Sequence, residues 1–342
     1  MPGSRQSLSF VAPRSVDLRE EPLPTPHAGQ VLVETLVSGI SPGTEMLVYR
    51  GQVPAGMPLD STIPDLAGAF AYPLKYGYAA VGRIVALGAD VGRDWLGQLV
   101  VGFHPHESHF VASPSALLRV PPGVTAEAAA FLPNVETAVT LLMDGQPIVG
   151  ERVALFGQGL VGLLCTAVLA RFPLTELVTL DRHPLRRAWS MDLGADRCLD
   201  PAVPGEIERL SPSFDLTYEL SGNPAVLDDA IGATGFDGRV VIGSWYGDQP
   251  ATIALGGSFH RSRIRLISSQ VSTIAPRWSG RWSKARRLGV AWRMLAEIEP
   301  TRLITHRFAL CRAAEAYDLL DRRPGEAVAV LLTYEASCTS AS

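Results

Sequence analysis

Apolar and polar positions alternate through 31–37, where Val31, Val33, Thr35 and Val37 recur at period two, the spacing of a strand with one buried face. Compact apolar runs at 81–87 and 99–103 read as further strands, with Pro42-Gly43, Gly88-Ala89-Asp90 and Pro121-Pro122-Gly123 as the turns. The chain before Thr125 therefore predicts a β-rich domain without long helical periodicity. At Thr125, a helix-capping residue type ahead of an alanine-rich stretch, the texture changes. Strand-like runs at 153–156, 177–180, 214–220, 240–242 and 264–267 then alternate with helical runs at 160–171, 184–193, 225–232 and 283–298. Such alternation predicts an α/β fold, a parallel sheet covered by helices on both faces. Past 303 a strand, a helix at 312–320 and a strand at 327–333 complete the pattern.

The strongest chemical signal lies at the first strand of that alternation. Gly157-Gln158-Gly159-Leu160-Val161-Gly162 follows an apolar strand and opens a helix. Asp181 stands at the end of the next short strand, about twenty residues after Gly162, the spacing at which a carboxylate meets an adenosine ribose. Gly157 suits the tight turn, Gly159 a close approach to a pyrophosphate, and Gly162 the packing of helix on sheet. The helix N-terminus offers free N–H groups and partial positive charge to phosphates. The plainer alternative is a glycine-rich turn with no ligand. Asp181 favours NAD, because a carboxylate there repels a 2′-phosphate. Arg182, Arg186 and Arg187 could instead receive that phosphate, or simply form a solvated helix face.

Composition narrows the class. A length of 342 residues exceeds one comfortable core, so two domains are expected. Hydrophobic residues at 47% and charged residues at 19% exclude a disordered chain. A net charge of −4, with both signs scattered, argues against nucleic acid or an anionic membrane as partner. No apolar run is long enough to span a bilayer, and the N-terminal segment lacks the features of a signal peptide. Cys165, Cys198, Cys311 and Cys338 stand far apart, neither a disulfide framework nor a paired metal knuckle, so a cytoplasmic setting is expected.

Taken in order, several further stretches carry a family likeness. They are Pro22 and Pro24 before Gln30-Val31-Leu32-Val33, then Ser38-Gly39-Ile40-Ser41-Pro42-Gly43-Thr44-Glu45, then Tyr76-Gly77-Tyr78-Ala79-Ala80-Val81-Gly82. Val85-Ala86-Leu87-Gly88 and, near the C-terminus, Leu303-Ile304-Thr305-His306-Arg307-Phe308 continue the series. With the glycine turn, the chain resembles the medium-chain dehydrogenase/reductase superfamily over nearly its whole length. The likeness points in particular to the zinc-less branch that includes bacteriochlorophyllide a dehydrogenase-like alcohol dehydrogenases. It implies a GroES-like β-barrel catalytic domain at 1–125 and 303–342, with a Rossmann dinucleotide-binding domain, a doubly wound parallel sheet, inserted at 126–302. A homodimer joined near 264–271 is also implied. The departures matter as much. Zinc-dependent members carry a cysteine where this chain reads Ser41-Pro42, a His-Glu pair at Tyr78-Ala79 and a third ligand near Pro133. The four-cysteine structural lobe has no counterpart before Cys165. No zinc is expected, since a catalytic site needs about three protein ligands.

Without zinc, side chains must handle the proton that accompanies hydride transfer. By position in the resembled family, Thr44 matches a proton-relay hydroxyl and Glu45 follows it. Tyr78 replaces a lost histidine, either as a donor to a substrate carbonyl or as a plug for the vacant metal site. Thr137 falls where the family contacts nicotinamide. Glu136, beside Asn134, would face the cleft or cap the next helix, and Ser221 and Gly243 complete the cofactor-binding set. Within His104-Pro105-His106-Glu107-Ser108-His109, His106 is the candidate for the active site; structural or exposed histidines are the plainer reading. Strand alternation would put His104 and His106 on one face and His109 on the other, poor convergence for a metal. Arg277, Trp278, Arg281, Trp282, Lys284, Arg286 and Arg287 make a basic aromatic stretch, suited to an anionic or ring-shaped ligand or to a solvated helix start. The expected activity is a zinc-independent, NAD(H)-dependent alcohol dehydrogenase or ketone reductase acting on a polar or cyclic metabolite. The alternatives are an NADPH-dependent quinone or enone reductase and a non-catalytic dinucleotide-binding protein.

Overall fold

A computed structural model describes residues 3–54, 56–57, 70–207, 210 and 212–334. The chain divides into two compact units, one drawn from 1–133 and 300–342, the other from 134–299.

The first unit opens with a hairpin of β1 (Ser4–Ala12) and β2 (Ser15–Pro22), turned by Arg14 at φ 57°. There follow β3 (Val31–Ile40), α1 (Thr44–Arg50), β4 (Ala80–Leu87), β5 (Leu99–Gly102), β6 (His109–Ala112), β7 (Leu117–Arg119) and α2 (Ala126–Ala129). The alternation read at 31–37 is visible in β3, where Val31 and Val33 are buried and Glu34 and Leu36 are exposed. Val31 and Val33 pack with Ala80, Ile84, Val100, Phe110 and Leu117 in one apolar cluster. Thr125 caps α2, its Oγ1 accepting from the Ala128 N–H.

α3 (Leu132–Gly145) carries the chain into the second unit. This unit contains β8 (Arg152–Phe156), α4 (Leu160–Leu169), β9 (Glu176–Leu180), α5 (Pro184–Asp192) and β10 (Arg197–Leu199). Then come β11 (Phe214–Glu219), α6 (Val226–Ala233), β12 (Thr234–Ile242), β13 (Arg265–Ser268) and α7 (Lys284–Ile298). Among the described residues its six strands run in the order β10-β9-β8-β11-β12-β13 with every pair parallel. Counted from β8, this is the 3-2-1-4-5-6 order of a Rossmann sheet. Ala154, Phe156, Val178, Leu180, Phe214 and Val240 form part of its core, which explains why these strands read as continuous apolar runs.

The chain returns to the first unit with β14 (Ile304–Ala309), α8 (Ala313–Arg322) and β15 (Ala329–Thr333). β15 pairs antiparallel with β3, so the described sheet runs β14-β15-β3-β4-β5-β7, with β6 also on β3. The fold is α/β, a GroES-like β unit and a Rossmann unit, as the likeness implied.

Several local expectations need correction. α1 interrupts a region read only as strands and turns. β12 begins at Thr234, well before 240, because the polar residues at its start hide its apolar pattern. The stretch from Phe103 to His106 is irregular and strand geometry resumes at His109, so the histidines do not alternate across a pleat. Cys165 and Cys198 are free thiols, whereas Cys311 is disulfide-bonded, so the reading of the cysteines as unpaired fails at that position. No helix among the described residues is long and apolar enough to cross a membrane.

Candidate active site

The residues singled out for chemistry gather in two constellations, one in each unit. In the second unit, Gly157 ends β8 at φ 95°, a region that side chains disfavour. A Cβ there would lie 2.5 Å from Ser221 Cα, so the turn presses directly on the chain leaving β11. A Cβ on Gly162 would fall 2.1 Å from the Gly157 carbonyl oxygen, which is the close packing of helix and turn that this position requires. Gly159, by contrast, has open space around its missing Cβ. It is the N-cap of α4 and leaves the helix without a side-chain cap, so the N–H groups of Leu160, Val161 and Gly162 are the helix's orphan donors. An anion placed over Gly159 meets those donors and the positive end of the helix dipole.

Asp181 follows β9 and is almost wholly buried. Its Oδ2 accepts from the Gln158 N–H at 2.8 Å and its Oδ1 from the His183 N–H at 2.8 Å. Each oxygen retains a lone pair, enough for the two hydroxyls of a ribose. Arg186 lies 3.9 Å from Oδ2, and the neighbouring Arg182 side chain is exposed. Gln158 departs from its expected role. Its side chain turns inward, accepting from Thr166 Oγ1 at 2.8 Å and donating to the Gly157 carbonyl, and its N–H is taken by Asp181.

Ser221 and Gly243 occupy the ends of β11 and β12 beside the turn. Ser221 donates its N–H and its hydroxyl to Glu219, a fully buried carboxylate that also accepts from the Tyr246 hydroxyl. Gly243 has no room for a side chain, since a Cβ would lie 2.5 Å from Leu220 and 2.6 Å from Leu141. Thr137 lies half-buried on α3. Glu136 is not free for proton transfer: its Oε1 accepts from Arg287 Nε at 3.0 Å and Nη2 at 2.8 Å, and both side chains are buried.

In the first unit, Glu45 enters the first turn of α1 and reaches back to the Ser41 N–H, which its Oε1 accepts at 2.8 Å. Its Oε2 lies 2.9 Å from His106 Nε2 and accepts from the Tyr317 hydroxyl at 2.7 Å. On the other side of the imidazole, Nδ1 lies 2.6 Å from Ser38 Oγ, which in turn lies 2.8 Å from the Tyr334 hydroxyl. With Glu45 ionised, Nε2 carries the imidazole proton and Ser38 donates to Nδ1, so each contact is satisfied in one direction. The result is a buried line of exchangeable protons, Tyr334–Ser38–His106–Glu45–Tyr317. Gly77 makes it possible: at φ 134° it passes His106 so closely that a Cβ would lie 2.9 Å from Nε2.

Tyr78 lies beside this line. Its hydroxyl hydrogen-bonds with Ser41 and Thr44, while burial and the Glu45 charge push its pKa up to about 12. Three hydroxyls therefore converge in front of a buried carboxylate. Burial also raises Tyr317 and Tyr334 well above the ordinary phenol range. The remaining histidines are separate from this group: His104 stacks on Phe110 at 4.1 Å, and His109 lies half-buried in β6. Among the described residues no three or more His, Cys, Asp or Glu side chains are grouped to hold a metal ion. Sequence reading found Thr44, Glu45, Tyr78 and His106 but missed Ser38, Ser41, Tyr317 and Tyr334 as their partners, and Glu219 with Tyr246. Ser38 and Ser41 stood inside a quoted motif; the others had no local signal.

A dinucleotide-binding oxidoreductase fold is what the glycine turn and sheet order define, and comparison with known proteins agrees. The zinc-binding dehydrogenase family matches residues 161–289. The chain is 26% identical, over 91% of its length and 93% of the relative's, to 2-desacetyl-2-hydroxyethyl bacteriochlorophyllide A dehydrogenase of Rhodobacter capsulatus. Its fold superposes on the alcohol dehydrogenase RspB of Escherichia coli CFT073, complexed with NADH, with a TM-score of 0.79 and 20% identity over 97% of this chain and all of that one. A zinc-binding dehydrogenase of Sinorhizobium meliloti bound to NADP superposes with a TM-score of 0.76 and 17% identity over 97% of this chain and 99% of its own. The family match thus lies within the second unit, and over nearly its whole length the chain is similar to medium-chain dehydrogenases.

Proposed function

We propose that this protein is a nicotinamide-dependent oxidoreductase acting on CH–OH groups, with NAD(H) as coenzyme and no catalytic zinc, and that it interconverts an alcohol and a ketone on a polar or cyclic small molecule. The observation that carries the reading is the open, uncapped helix N-terminus at Gly159; the hydroxyl cluster of Tyr78, Ser41 and Thr44 in the other unit supplies the proton chemistry. The names of the relatives, a hydroxyethyl-group dehydrogenase among them, support the reaction class.

The residues of the second unit fit a dinucleotide. Leu160, Val161 and Gly162 would hold the pyrophosphate, and Asp181 the ribose. Bound there, such a coenzyme supplies or accepts a hydride. The residues of the first unit do not fit zinc. Ser41 and Tyr78, at the positions where zinc-dependent members carry cysteine and histidine, are hydroxyls, and that of Tyr78 keeps its proton until about pH 12. Glu45 and His106 are of ligand type but are committed to each other and to Ser38, Ser41 and Tyr317.

The proton chemistry then falls to Tyr78. Its phenol stays protonated through the neutral range and can donate to a carbonyl oxygen as negative charge develops. Ser41 and Thr44 orient that hydroxyl. Glu45, held by His106, lies close enough for its charge to raise the Tyr78 pKa. The test is titration of the purified protein with NADH and NADPH, followed by turnover on a carbonyl panel before and after chelation. A preference for NADH and activity unchanged by chelation are expected; loss of activity restored by zinc would sink the zinc-free mechanism. A second reading, an NADPH-linked reductase of activated double bonds, draws on Arg182 and Arg186 beside Asp181, and a clear preference for NADPH would favour it. We further propose a homodimer. β13 ends the order of the described sheet, leaving one side of the strand available for pairing with a second copy, and a monomeric mass in solution would reject this.

A further inference from the structure

The basic aromatic stretch after Pro276 has no place in this chemistry, yet it walls a cavity. α4 begins at the glycine turn, and its far end, roughly 13 Å along the helix at 1.5 Å per residue, faces the C-terminal half of α3, the short turn Pro276–Trp278 and α7. These elements, all in the second unit, line an open cavity of 630 Å³. That volume is within the range of small-molecule sites, about 300–1,000 Å³. Gln146, Pro147 and Ile148, just ahead of the start of β8, are among the cavity's lining, at the other end of that strand from Gly157.

The lining is apolar, with Leu142, Val168, Phe172, Val290 and Met294 among its residues, and Trp278 and Trp282 on one side. Over the indoles sit two cations: Arg281 lies 4.7 Å from the Trp278 ring centre and Arg286 4.1 Å from that of Trp282. Arg281 and Arg286 both line the cavity; Arg286 donates from Nη1 to the Arg281 carbonyl, which leaves its other nitrogens, and among the described residues neither arginine has a carboxylate partner. Their neighbours differ: Arg277 pairs with Asp144 at 3.3 Å and Arg287 with Glu136 at 2.8 Å. A guanidinium stacked on an aromatic face keeps its N–H edge free for an anion. An apolar chamber with uncompensated positive charge at its wall matches one chemical class.

We propose that this cavity is a second ligand site, separate from the coenzyme turn, for a small amphipathic anion: a single carboxylate on an apolar body of medium length. The apolar walls take the body, and Arg281 and Arg286 take the carboxylate.

The test uses the full chain with 1-anilinonaphthalene-8-sulfonate as fluorescent probe, competed by decanoate or by decanol. Decanoate is expected to displace the probe at about ten-fold lower concentration than decanol, the size of one charge-assisted hydrogen bond. The double substitution Arg281→Ala with Arg286→Ala should bring the two competitors together. Val290→Trp, which fills the chamber, should abolish probe binding. Both variants should keep the wild-type affinity for NADH, which reports an intact second unit. Equal competition by decanol and decanoate in the wild type overturns the proposal, as does probe binding that survives Val290→Trp. So does a dimer that dissociates in these variants with probe bound only to the monomer, because the chamber is then covered by a second copy of the chain.

Discussion

The Glu45 carboxylate lies 2.9 Å from Nε2 of His106, with both side chains wholly buried and 61 positions apart in the chain. A buried carboxylate bonded to an imidazole N–H adds little over a matched apolar pair, but removing one partner strands the other. Glu45→Ala or His106→Ala should each cost about 3–5 kcal/mol in urea unfolding. The double substitution should cost much less than the sum. Additive costs, or single losses below about 1 kcal/mol, would show that the two groups are not coupled.

Tyr78→Phe removes one hydroxyl and leaves the ring. Turnover should fall by about 10²–10⁴-fold while NADH affinity stays unchanged. Since the phenol is held up to about 12, the wild-type rate should show no limb between pH 6 and pH 10 that vanishes in the variant. Such a limb would mean that the hydroxyl ionises within reach of neutrality and acts as a base instead.

Gly162→Ala tests the coenzyme turn. A Cβ 2.1 Å from the Gly157 carbonyl oxygen must push α4 off the turn, so NADH affinity should drop by about ten-fold or more. Gly159→Ala, with open space at that position, should fold normally and affect only the ligand. Unchanged affinity in both variants would remove the turn from the site.

Alkali should weaken the fold through its buried phenols. Burial raises Tyr78, Tyr317 and Tyr334 above the ordinary value of 10, so these groups stabilise the folded chain fully below pH 10. As pH rises beyond 10 the unfolded chain loses these protons first, and the stabilisation is lost on the way to the folded values. The urea midpoint should therefore fall between pH 10 and pH 12, less steeply in Tyr317→Phe. A midpoint indifferent to pH over that window would contradict the burial of these hydroxyls.

One phenol is a liability. The Tyr218 hydroxyl is fully buried with no hydrogen-bond partner among the described residues. Tyr218→Phe should leave stability unchanged or raise it by about 1 kcal/mol, measured as a shift in Tm. A clear loss would reveal an ordered water at that hydroxyl.

The second unit was legible because its information is local. Strand, glycine turn and helix follow one another within residues 152–169, and β9 delivers Asp181 directly. The period-two pattern of β3 exposed one face of the first unit for the same reason. α1 was hidden because a helix of seven residues after Pro42-Gly43 is too short to display a period. The proton line was hidden for a deeper reason. Tyr317 meets Glu45 across 272 positions where α8 packs on α1, and Tyr334 meets Ser38 across 296 where β15 pairs with β3. Gln158 and Glu136 were placed by position alone, and position does not tell whether a side chain turns inward or meets an arginine.

The route of the chain has a consequence for synthesis. The first unit stops at Pro133 and resumes at Pro300, so β3 lacks its β15 neighbour until the ribosome has made the entire second unit. The Rossmann segment is contiguous and can fold as it emerges. Throughout that interval the earlier segment presents an unsatisfied strand border to the cell. Truncation after β13 would strand it there permanently, making the last forty residues a closing clasp for the first hundred.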